Sequence, residues 1–438
     1  MVTSVPNNDH EPVTRVHPKT ATTDLQQAQL AKVRELIGAI LPGNQFYARK
    51  LAGITPSDLA TIEGFSRLPF TTKAELAIDQ AEHPPYGSAL SFPFEKYARL
   101  HQTSGTSTGH PLRWLDTPES WEWLLDCWRV SFPFMGLTTR DKVFFPFSFG
   151  PFLGFWTAFE AATRSGFLCI AGGGMTSTAR LRFLVEHNCT VVFATPTYAL
   201  HLAELAAKEG IDLADSAVRA LVVAGEPGGN IPATRTRIEE VWGARVFDHY
   251  GMTEIGPVAV EAVDQPGQMY LLESQYLAEV LLPGRNTPAP AGDFGELVLT
   301  NLGRVGSPLI RYRTGDIVTL ATGLDPAGRT WRRLNGGILG RVDDMIHVRG
   351  NNLYPAAIEA IVRKYPQVAE YRIVVDHTVP LADLRVEVEP VAGDGRDIAE
   401  IVGRAIRDEL LFRVEVVPMP PGSLPRFEMK AKRLVHKR

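Results

Sequence analysis

Apolar and polar positions alternate with two periods through the middle of the chain, and this pattern predicts strands and helices in turn. Short apolar runs bounded by turn residues predict buried strands, and the amphipathic segments between them predict helices. In chain order these are a strand at 166–170, a helix at 178–187, a strand at 190–194, a helix at 198–208, a strand at 220–223, a helix at 233–242 and a strand at 245–248. This order predicts a mainly parallel sheet with helices on both faces, in which ligands bind beyond the carboxyl ends of the strands.

The most apolar stretch, residues 143–159, is rich in aromatic side chains. It is shorter than the roughly 20 residues of a membrane span and is interrupted by prolines and glycines, so we expect no membrane association. The pattern predicts a strand at 143–147, a turn, and a helix that carries Phe152, Phe155, Trp156 and Phe159 on one side. These rings either fill the core or line an apolar pocket, and we expect most of them in the core.

The pattern changes twice towards the C-terminus, which predicts further structural units. Strands at 270–272, 276–282, 295–300 and 309–312 predict a small antiparallel sheet or barrel. Beyond Asp343 two strands, a helix and another strand predict a separate α+β domain, and helices at 24–41 and 72–79 precede the whole. We therefore predict an α/β protein with a loose tail at 1–24, a large N-terminal domain of layered sheets at 25–342, and a small mobile lid at 343–438.

Composition and charge exclude several classes of protein. With 438 residues, 45% apolar and 21% charged, the chain is typical of soluble globular proteins with two or three domains. A net charge of −4 gives no reason to expect nucleic-acid binding. The three cysteines are far apart and the N-terminus lacks an apolar core, so the sequence favours a reducing cytoplasm over secretion.

The segment TSGTSTGHP, residues 103–111, is dense in hydroxyl groups and glycines, which favours a loop over regular structure. Convergent backbone N–H groups and hydroxyls suit an oligophosphate, although an ordinary polar surface loop has the same composition. Two more loops, 224–229 and 248–254, follow predicted strands and therefore lie where ligands bind.

Residues with nucleotide-binding chemistry occur in the later loops. Tyr250 suits base stacking, Thr253 suits a phosphate contact, and Glu254 suits Mg²⁺, which prefers carboxylate oxygens. Asp316, directly after a glycine turn in RYRTGD, is suited to accept hydrogen bonds from a ribose diol. In both places a simple turn between strands is the alternative.

Together these motifs resemble the AMP-forming adenylate enzymes. The motifs are TSGTSTGHP, DHYGMTE, RYRTGD, GRVDDMIHVRG and PRFEMKAKR, in that order. LPFTTKAEL, ATPTYALHLAE and AGEPG make the chain similar to the phenylacetate-CoA ligase branch. The resemblance extends from about residue 26 to the end of the chain.

The resemblance implies a role for each matching residue. It implies that the phosphate loop binds the β- and γ-phosphates, that Tyr250 stacks on adenine, that Thr253 contacts the α-phosphate and that Glu254 supports Mg²⁺. Asp316 and Arg341 are implied to bind the ribose, Asp343 to be the hinge, and Lys430 to assist adenylation. The implied nucleotide site also includes Ser104, Gly105, Thr106, Ser107, Thr108, Gly109, Gly225, Glu226, Pro227, Asp248 and Gly251.

The chemistry implied is attack of a substrate carboxylate on ATP, followed by transfer of the acyl group to a thiol. An acyl pocket is expected among Phe147, Ser148, Phe149, Ala194, Tyr198 and Gly225. Because rings are abundant there, a small flat aromatic acid is favoured over a long fatty chain. Departures from the family pattern are an additional loop residue, His110 in place of lysine and Met429 before Lys430; the turn 324–333 lacks cysteines, so we predict no structural zinc.

Three function classes remain after the sequence analysis. An aryl-CoA ligase would use ATP, Mg²⁺ and CoA, whose phosphates suit Arg349, Lys432, Arg433, Lys437 and Arg438. An enzyme that loads the aryl acid onto the phosphopantetheine thiol of a carrier protein would have the same motifs. A non-catalytic binding protein is disfavoured because Glu254, Asp316 and Lys430 are all present.

Overall fold

The computed structural model describes residues 19–103, 111–344, 346–348, 351–376, 383–427 and 432–437. The helices are α1 (Thr22–Ile40), α2 (Gln45–Lys50), α3 (Ile62–Phe65), α4 (Lys73–Glu82), α5 (Pro118–Phe134), α6 (Trp156–Arg164), α7 (Ser177–Glu186), α8 (Pro196–Glu209), α9 (Pro232–Trp242), α10 (Pro355–Val362) and α11 (Arg396–Leu410). The strands are β1 (Arg99–Gln102), β2 (Arg113–Asp116), β3 (Lys142–Phe145), β4 (Leu168–Ala171), β5 (Val191–Ala194), β6 (Ala220–Val223), β7 (Arg245–Met252), β8 (Gly256–Ala262), β9 (Gln265–Leu271), β10 (Tyr276–Leu281), β11 (Phe294–Asn301), β12 (Tyr312–Thr319), β13 (Arg333–Asn335), β14 (Gly340–Arg341), β15 (Ile346–Val348), β16 (Asn351–Leu353), β17 (Val368–Asp376), β18 (Asp383–Pro390), β19 (Glu415–Pro418) and β20 (Leu434–Lys437).

An eight-stranded sheet forms the centre of the N-terminal part, with strand order β13-β9-β8-β7-β6-β5-β3-β4. Strands β3 to β7 pair in parallel, which confirms the layered α/β fold predicted from the alternation of strands and helices. Strands β8, β9 and β13 continue the same sheet in antiparallel pairing. The predicted strand at 270–272 overlaps β9 and so belongs to this sheet rather than to the small antiparallel sheet in which it was predicted, because β8 folds back onto β7 and β9 pairs with β8.

A smaller antiparallel sheet has strand order β10-β11-β12-β14. Two segments that were predicted as turns or loops lie largely in strands instead, one in this sheet and one in the large sheet. The RYRTGD segment lies mostly within β12, where Asp316 pairs with Arg341 of β14, and β7 extends through Tyr250 to Met252. Both segments contain glycine and polar residues typical of turns, but neighbouring strands supply partners for their N–H and C=O groups.

Two hydrophobic clusters cover the two faces of the large sheet. Phe145 and Phe193 belong to one cluster, while the adjacent residues Phe144 and Ala194 belong to the other. This division follows from the alternation of side chains along a strand. Phe152, predicted on a helix, precedes α6 and is exposed.

A third core belongs to the C-terminal residues from Ile346 onwards, where α10 and α11 accompany a sheet of order β19-β18-β17-β20. The last described residues form strand β20, which pairs in parallel with β17. Within the described ranges, no helix has both the length and the apolar character that crossing a membrane requires.

The N-terminal segment is attached to strands far along the chain. The Gln29 side chain on α1 donates to the carbonyls of Glu273 and Tyr276 at 2.8 and 2.9 Å. Thr71 bridges to Tyr312 of β12, and its hydroxyl donates to the carbonyl of Ile310 at 2.8 Å. Because Thr71 lies two residues before Lys73, the first residue of α4, these contacts place the start of α4 beside the small sheet.

Candidate active site

Three predicted nucleotide residues meet at the junction of the two sheets. The Tyr250 hydroxyl donates to Asp316 Oδ2 at 2.5 Å, and Arg341 Nη1 donates to Asp316 Oδ1 at 2.8 Å. Asp316 is buried, and its carboxylate is held by both partners although they lie on β7 and β14. Burial and the Asp316 charge raise the pKa of Tyr250 well above its usual value, so this hydroxyl remains a donor.

Gly315 explains why a glycine precedes this aspartate. Its φ is +75°, and a Cβ built there would lie 3.1 Å from Arg341 Nη2. A side chain at this position would therefore combine backbone strain with crowding against the arginine. The glycine lets Arg341 approach Asp316.

Thr253 and Glu254 form the turn between β7 and β8. Arg304 Nη1 donates to both of their carbonyls, at 2.9 and 3.0 Å, and the same guanidinium makes two 2.7 Å hydrogen bonds to Asp116. Arg304 and Asp116 are both fully buried. Sequence reasoning missed this pair, since neither residue stands in a motif that carries a chemical signal.

The Glu254 carboxylate lies 3.0 Å from the ammonium group of Lys73. The carboxylate is buried, with 8% of its side chain exposed, whereas Lys73 is 25% exposed. Lys73 is the first residue of α4, whose N-cap Thr72 forms a capping box with Glu75, as the TTKAEL pattern indicates. Lys73 was not among the predicted site residues; the only signal for it was its presence in LPFTTKAEL.

The 224–230 loop packs against α8 and against the approach to β14. Glu226 accepts a hydrogen bond from the backbone N–H of Thr197 at 2.8 Å, and Asn230 donates to the Ile338 carbonyl at 3.0 Å. Gly225 and Pro227 are exposed on this loop. The loop therefore lies close to the segment that leads to Arg341.

Asp248 lies beneath this loop. A Cβ on Gly229 would lie 2.7 Å from Asp248 Cγ, so a glycine is needed for the loop to cover the carboxyl group. Burial, with the nearby Glu261 carboxylate, raises the pKa of Asp248 to about 8. Gly251 follows at the exposed end of β7.

The predicted acyl-pocket residues fall into two groups. The rings of Phe147 and Phe149 are half-buried with centroids 5.1 Å apart, and Phe147 lies 5.4 Å from Phe155. Ser148, between the two rings, is exposed. These residues form an aromatic surface that continues from the core.

Ala194 and Tyr198 pack in the cluster on the other face of the sheet. The Tyr198 hydroxyl accepts a 2.8 Å hydrogen bond from Arg180 and lies 3.0 Å from the Ser177 hydroxyl. The structure thus does not bring the Tyr198 ring together with Phe147 and Phe149, because Tyr198 on α8 belongs to the cluster on one face of the sheet while the two phenylalanines pack against the cluster on the other.

Several predicted site residues lie outside the described residues. They are Ser104, Gly105, Thr106, Ser107, Thr108, Gly109, His110, Arg349, Met429, Lys430 and Arg438. The base of the phosphate loop is described: Thr103 N–H donates to the Leu112 carbonyl, and Leu112 N–H donates to the Thr103 hydroxyl, both at 2.9 Å. Asp343 is exposed, 3.8 Å from Arg341 Nη2.

Two of the cations expected to bind CoA phosphates already have carboxylate partners. Arg433 donates to Glu370 at 2.7 and 3.0 Å, and Lys437 lies 3.0 Å from Asp376. Arg433 also reaches the Thr197 hydroxyl at 3.4 Å, which links β20 to α8. In the described part of the chain, no group of three or more His, Cys, Asp or Glu side chains is arranged to hold a metal ion.

Family comparisons cover both parts of the chain. Residues 100–301 match the family of AMP-binding enzymes, and residues 350–438 match the AMP-binding enzyme C-terminal domain. The chain is 31% identical to a phenylacetate-coenzyme A ligase from Thermus thermophilus, covering 96% of this chain and 97% of that protein. It is also 31% identical to a phenylacetate-coenzyme A ligase from Pseudomonas putida, covering 96% of each.

Among solved structures, the chain is similar to 2-hydroxyisobutyryl-CoA ligase. In its postadenylation state with a bound adenylate, that enzyme gives a TM-score of 0.90 at 29% identity, covering 96% of this chain and 91% of the other. The same enzyme with the adenylate and CoA in the thioesterification state gives a TM-score of 0.72, at the same identity and coverage. This chain therefore superimposes better on the postadenylation arrangement.

The family matches, the nearly full-length relatives and the geometry around Asp316 agree with one another. The chain belongs to the AMP-forming adenylate enzymes, in the branch similar to the phenylacetate-CoA ligases, and is an AMP-forming acid–CoA ligase.

Proposed function

We propose that this ligase activates a small aromatic carboxylic acid as its acyl adenylate and transfers the acyl group to CoA. The observation that carries the aromatic specificity is the surface formed by Phe147, Phe149 and Phe155, whose neighbouring ring centroids are 5.1 and 5.4 Å apart. Aromatic pairs favour such offset or tilted contacts, and a flat ring adds to the cluster without polar groups to desolvate.

The nucleotide is proposed to bind over the Tyr250–Asp316–Arg341 group. Asp316 Oδ2 accepts from Tyr250 and Oδ1 accepts from Arg341, and a carboxylate oxygen can accept more than one hydrogen bond, so a ribose hydroxyl can join this group. Arg341 offsets the negative charge of the buried Asp316 carboxylate, and the Tyr250 ring is proposed to stack on adenine. Gly225, Glu226 and Pro227 provide the loop beside the purine.

Glu254 is the proposed support for Mg²⁺. A buried carboxylate on a turn whose carbonyls are both held by Arg304 suits a hard cation, which takes oxygen ligands. When bound, Mg²⁺ neutralises phosphate charge. One carboxylate is sufficient for this fit, because Mg²⁺ usually keeps waters and substrate phosphates as its other ligands.

The chemistry needs no nucleophilic side chain. A carboxylate oxygen of the acid attacks the α-phosphorus, the bond to pyrophosphate breaks, and the acid becomes a mixed anhydride with AMP. The CoA thiol then loses its proton and attacks the acyl carbon, and AMP leaves. The enzyme contributes position and compensating charge, with Thr253 at the α-phosphate and Lys430 as the mobile cation.

Lys430 and the thiol cannot occupy the same side of the carbonyl, so we propose that the C-terminal part rotates about Asp343 between the two steps. This is supported by the similarity to one enzyme in two states, with TM-scores of 0.90 and 0.72. In the arrangement of this structure, Arg433 lies 3.4 Å from the Thr197 hydroxyl.

The test is a substrate panel with ATP, Mg²⁺ and CoA. Benzoates and phenylacetates are compared with 2-hydroxyisobutyrate and an eight-carbon fatty acid, and pyrophosphate and thioester are measured. We expect kcat/KM to be at least tenfold higher for an aromatic acid. Equal or higher values for the aliphatic acids would refute the aromatic specificity but not the ligase activity.

The acceptor is tested with the same panel. Millimolar CoA should give thioester with the preferred acid, detected by mass. Adenylate that accumulates with CoA but is consumed by a pantetheinylated carrier protein would refute CoA as the acceptor.

A further inference from the structure

The ion pair between Lys73 and Glu254 connects α4 to the turn proposed to hold the metal. The two charged groups are 3.0 Å apart and separated by 181 positions in the sequence, so only tertiary structure brings them together. No role has been given to Lys73 so far.

The backbone that carries Lys73 is firmly held. Thr72 caps α4 reciprocally with Glu75, at 3.2 Å for the Thr72 hydroxyl and 2.8 Å for the Thr72 N–H. Thr71 bridges to Tyr312, the first residue of the strand that contains Asp316. These contacts therefore fix the backbone position of Lys73 relative to both Glu254 and Asp316.

The charge distribution favours a role beyond pairing. Arg304 is fully buried against Asp116, and Arg341 is bound to Asp316, so both guanidinium groups have carboxylate partners other than Glu254. Lys73 is a quarter exposed, and its four-carbon stem allows the ammonium to move by several ångströms while the backbone stays in place.

We propose that Lys73 is a phosphate-binding residue of the nucleotide site. In the nucleotide-free enzyme its ammonium neutralises the buried Glu254 carboxylate. With Mg²⁺ and ATP bound, Glu254 would hold the metal and the Lys73 ammonium would donate to a phosphate oxygen of ATP. The proposal rests on the metal-binding role proposed for Glu254.

The first test measures nucleotide binding directly. Calorimetry with Mg²⁺–ATP and with adenosine is applied to the wild type, Lys73→Gln and Lys73→Arg. A lost charge-assisted hydrogen bond should weaken ATP binding by about 10- to 100-fold, and adenosine affinity should not change because adenosine has no phosphate. Lys73→Arg, which keeps the charge, should retain most of the ATP affinity and also reports whether the site tolerates substitution.

Lys50→Gln is the matched control. Lys50, the last residue of α2, forms the same kind of pair at 2.5 Å, but its partner is Glu75 in the first turn of α4 rather than Glu254. It should leave ATP affinity unchanged. A loss of ATP affinity equal to that of Lys73→Gln would overturn the proposal, since it would assign the effect to the stability of α4.

A double-mutant cycle separates phosphate binding from simple neutralisation of Glu254. Lys73→Gln is measured again in Glu254→Gln, where no carboxylate remains to be neutralised. A loss in ATP affinity within threefold of that in the wild-type background supports the phosphate contact. If Lys73→Gln has no effect in Glu254→Gln, the lysine is only a partner of the glutamate and the proposal is wrong.

The outcome of these ATP-binding measurements does not depend on which acid is the substrate. If Lys73→Gln binds ATP as the wild type does while acyl-CoA is still formed from aromatic acids, the phosphate role fails and the proposed function stands. If Lys73→Gln weakens ATP binding as expected but the wild type forms no thioester from aromatic acids, the phosphate role stands and the proposed function fails.

Discussion

The Asp316 carboxylate is the most informative residue to change, because it holds two parts of the nucleotide site together. Asp316→Asn keeps the shape and removes the charge. The side chain is 5% exposed and accepts from Tyr250 at 2.5 Å and from Arg341 at 2.8 Å. An amide has one acceptor oxygen, so its NH₂ group must face either the tyrosine hydroxyl or the guanidinium.

The expected magnitude follows from the bond to Arg341. A hydrogen bond to a charged group contributes about 1.5–3 kcal/mol, so its loss should lower the free energy of unfolding by about that amount. The ribose contacts that we propose use the same carboxylate. We therefore expect the KM for ATP to rise by about 10- to 100-fold, since 1.4 kcal/mol corresponds to a factor of ten.

The assay is ATP–pyrophosphate exchange with a saturating acid, using ATP and its 2′-deoxy and 3′-deoxy analogues. The wild type should discriminate against the analogues, and Asp316→Asn should discriminate less because its ribose contact is already weakened. Unfolding in urea is measured on the same samples, so that loss of stability and loss of binding are separated.

The chain provides a matched control at Asp325. This aspartate also accepts from a tyrosine, Tyr270, at 2.8 Å and from an arginine, Arg329, at 2.6 Å, but it lies away from the nucleotide site. Burial acts to raise its pKa, yet the bonds from Arg329, the backbone and Tyr270 lower it to about 2. Asp325→Asn should destabilise the fold without changing the KM for ATP. Equal increases in KM for both variants would refute a ribose role for Asp316.

Three further predictions concern the chemistry and the fold. Lys430→Ala should lower pyrophosphate release by orders of magnitude while preformed acyl adenylate still reacts with CoA; equal losses in both half-reactions would contradict the assignment. Glu254→Gln should raise the Mg²⁺ concentration needed for half-maximal adenylation, and an unchanged titration would exclude a metal role. Burial lowers the pKa of His249 to about 3, so its imidazole stays neutral in the native state, whereas in the unfolded chain the same imidazole gains a proton below about pH 6.5. Stability should therefore fall as the pH drops from 6.5 to 5, by about 2 kcal/mol from this residue, and urea unfolding of His249→Phe should show a smaller fall than the wild type.

The alternation of strands and helices was sufficient to predict the large sheet, because buried parallel strands leave a clear apolar signal. The predicted strand at 220–223 agrees with β6, and the capped start of α4 follows from its side chains alone. The predicted ends of strands were wrong where pairing with a neighbouring strand decides how far a strand continues. Strand β7 extends past Gly251 to Met252 of DHYGMTE, because β8 pairs with it and a bulge after Tyr250 absorbs the irregularity.

The candidate site was predictable only where a motif carries the chemistry. Tyr250, Asp316 and Arg341 were all predicted and are in contact, although their mutual hydrogen bonds do not follow from any one segment. Lys73 and the buried Arg304 were missed, since the distance between an isolated cation and its carboxylate depends on how distant elements pack.

The attachment of α1 and Thr71 to strands far along the chain has a consequence for synthesis on the ribosome. The hydroxyl of Thr71 binds a carbonyl 239 residues later, and Gln29 binds one 244 residues later. At about 5–20 residues per second, these partners emerge roughly 12 to 50 seconds after the segment that needs them. During that interval α1 can already pack against α3, which it contacts and which follows it closely in sequence. The side chains of Gln29 and Thr71 still lack their later partners, so the first part of the chain completes its packing only when strands β10 and β12 have been synthesised.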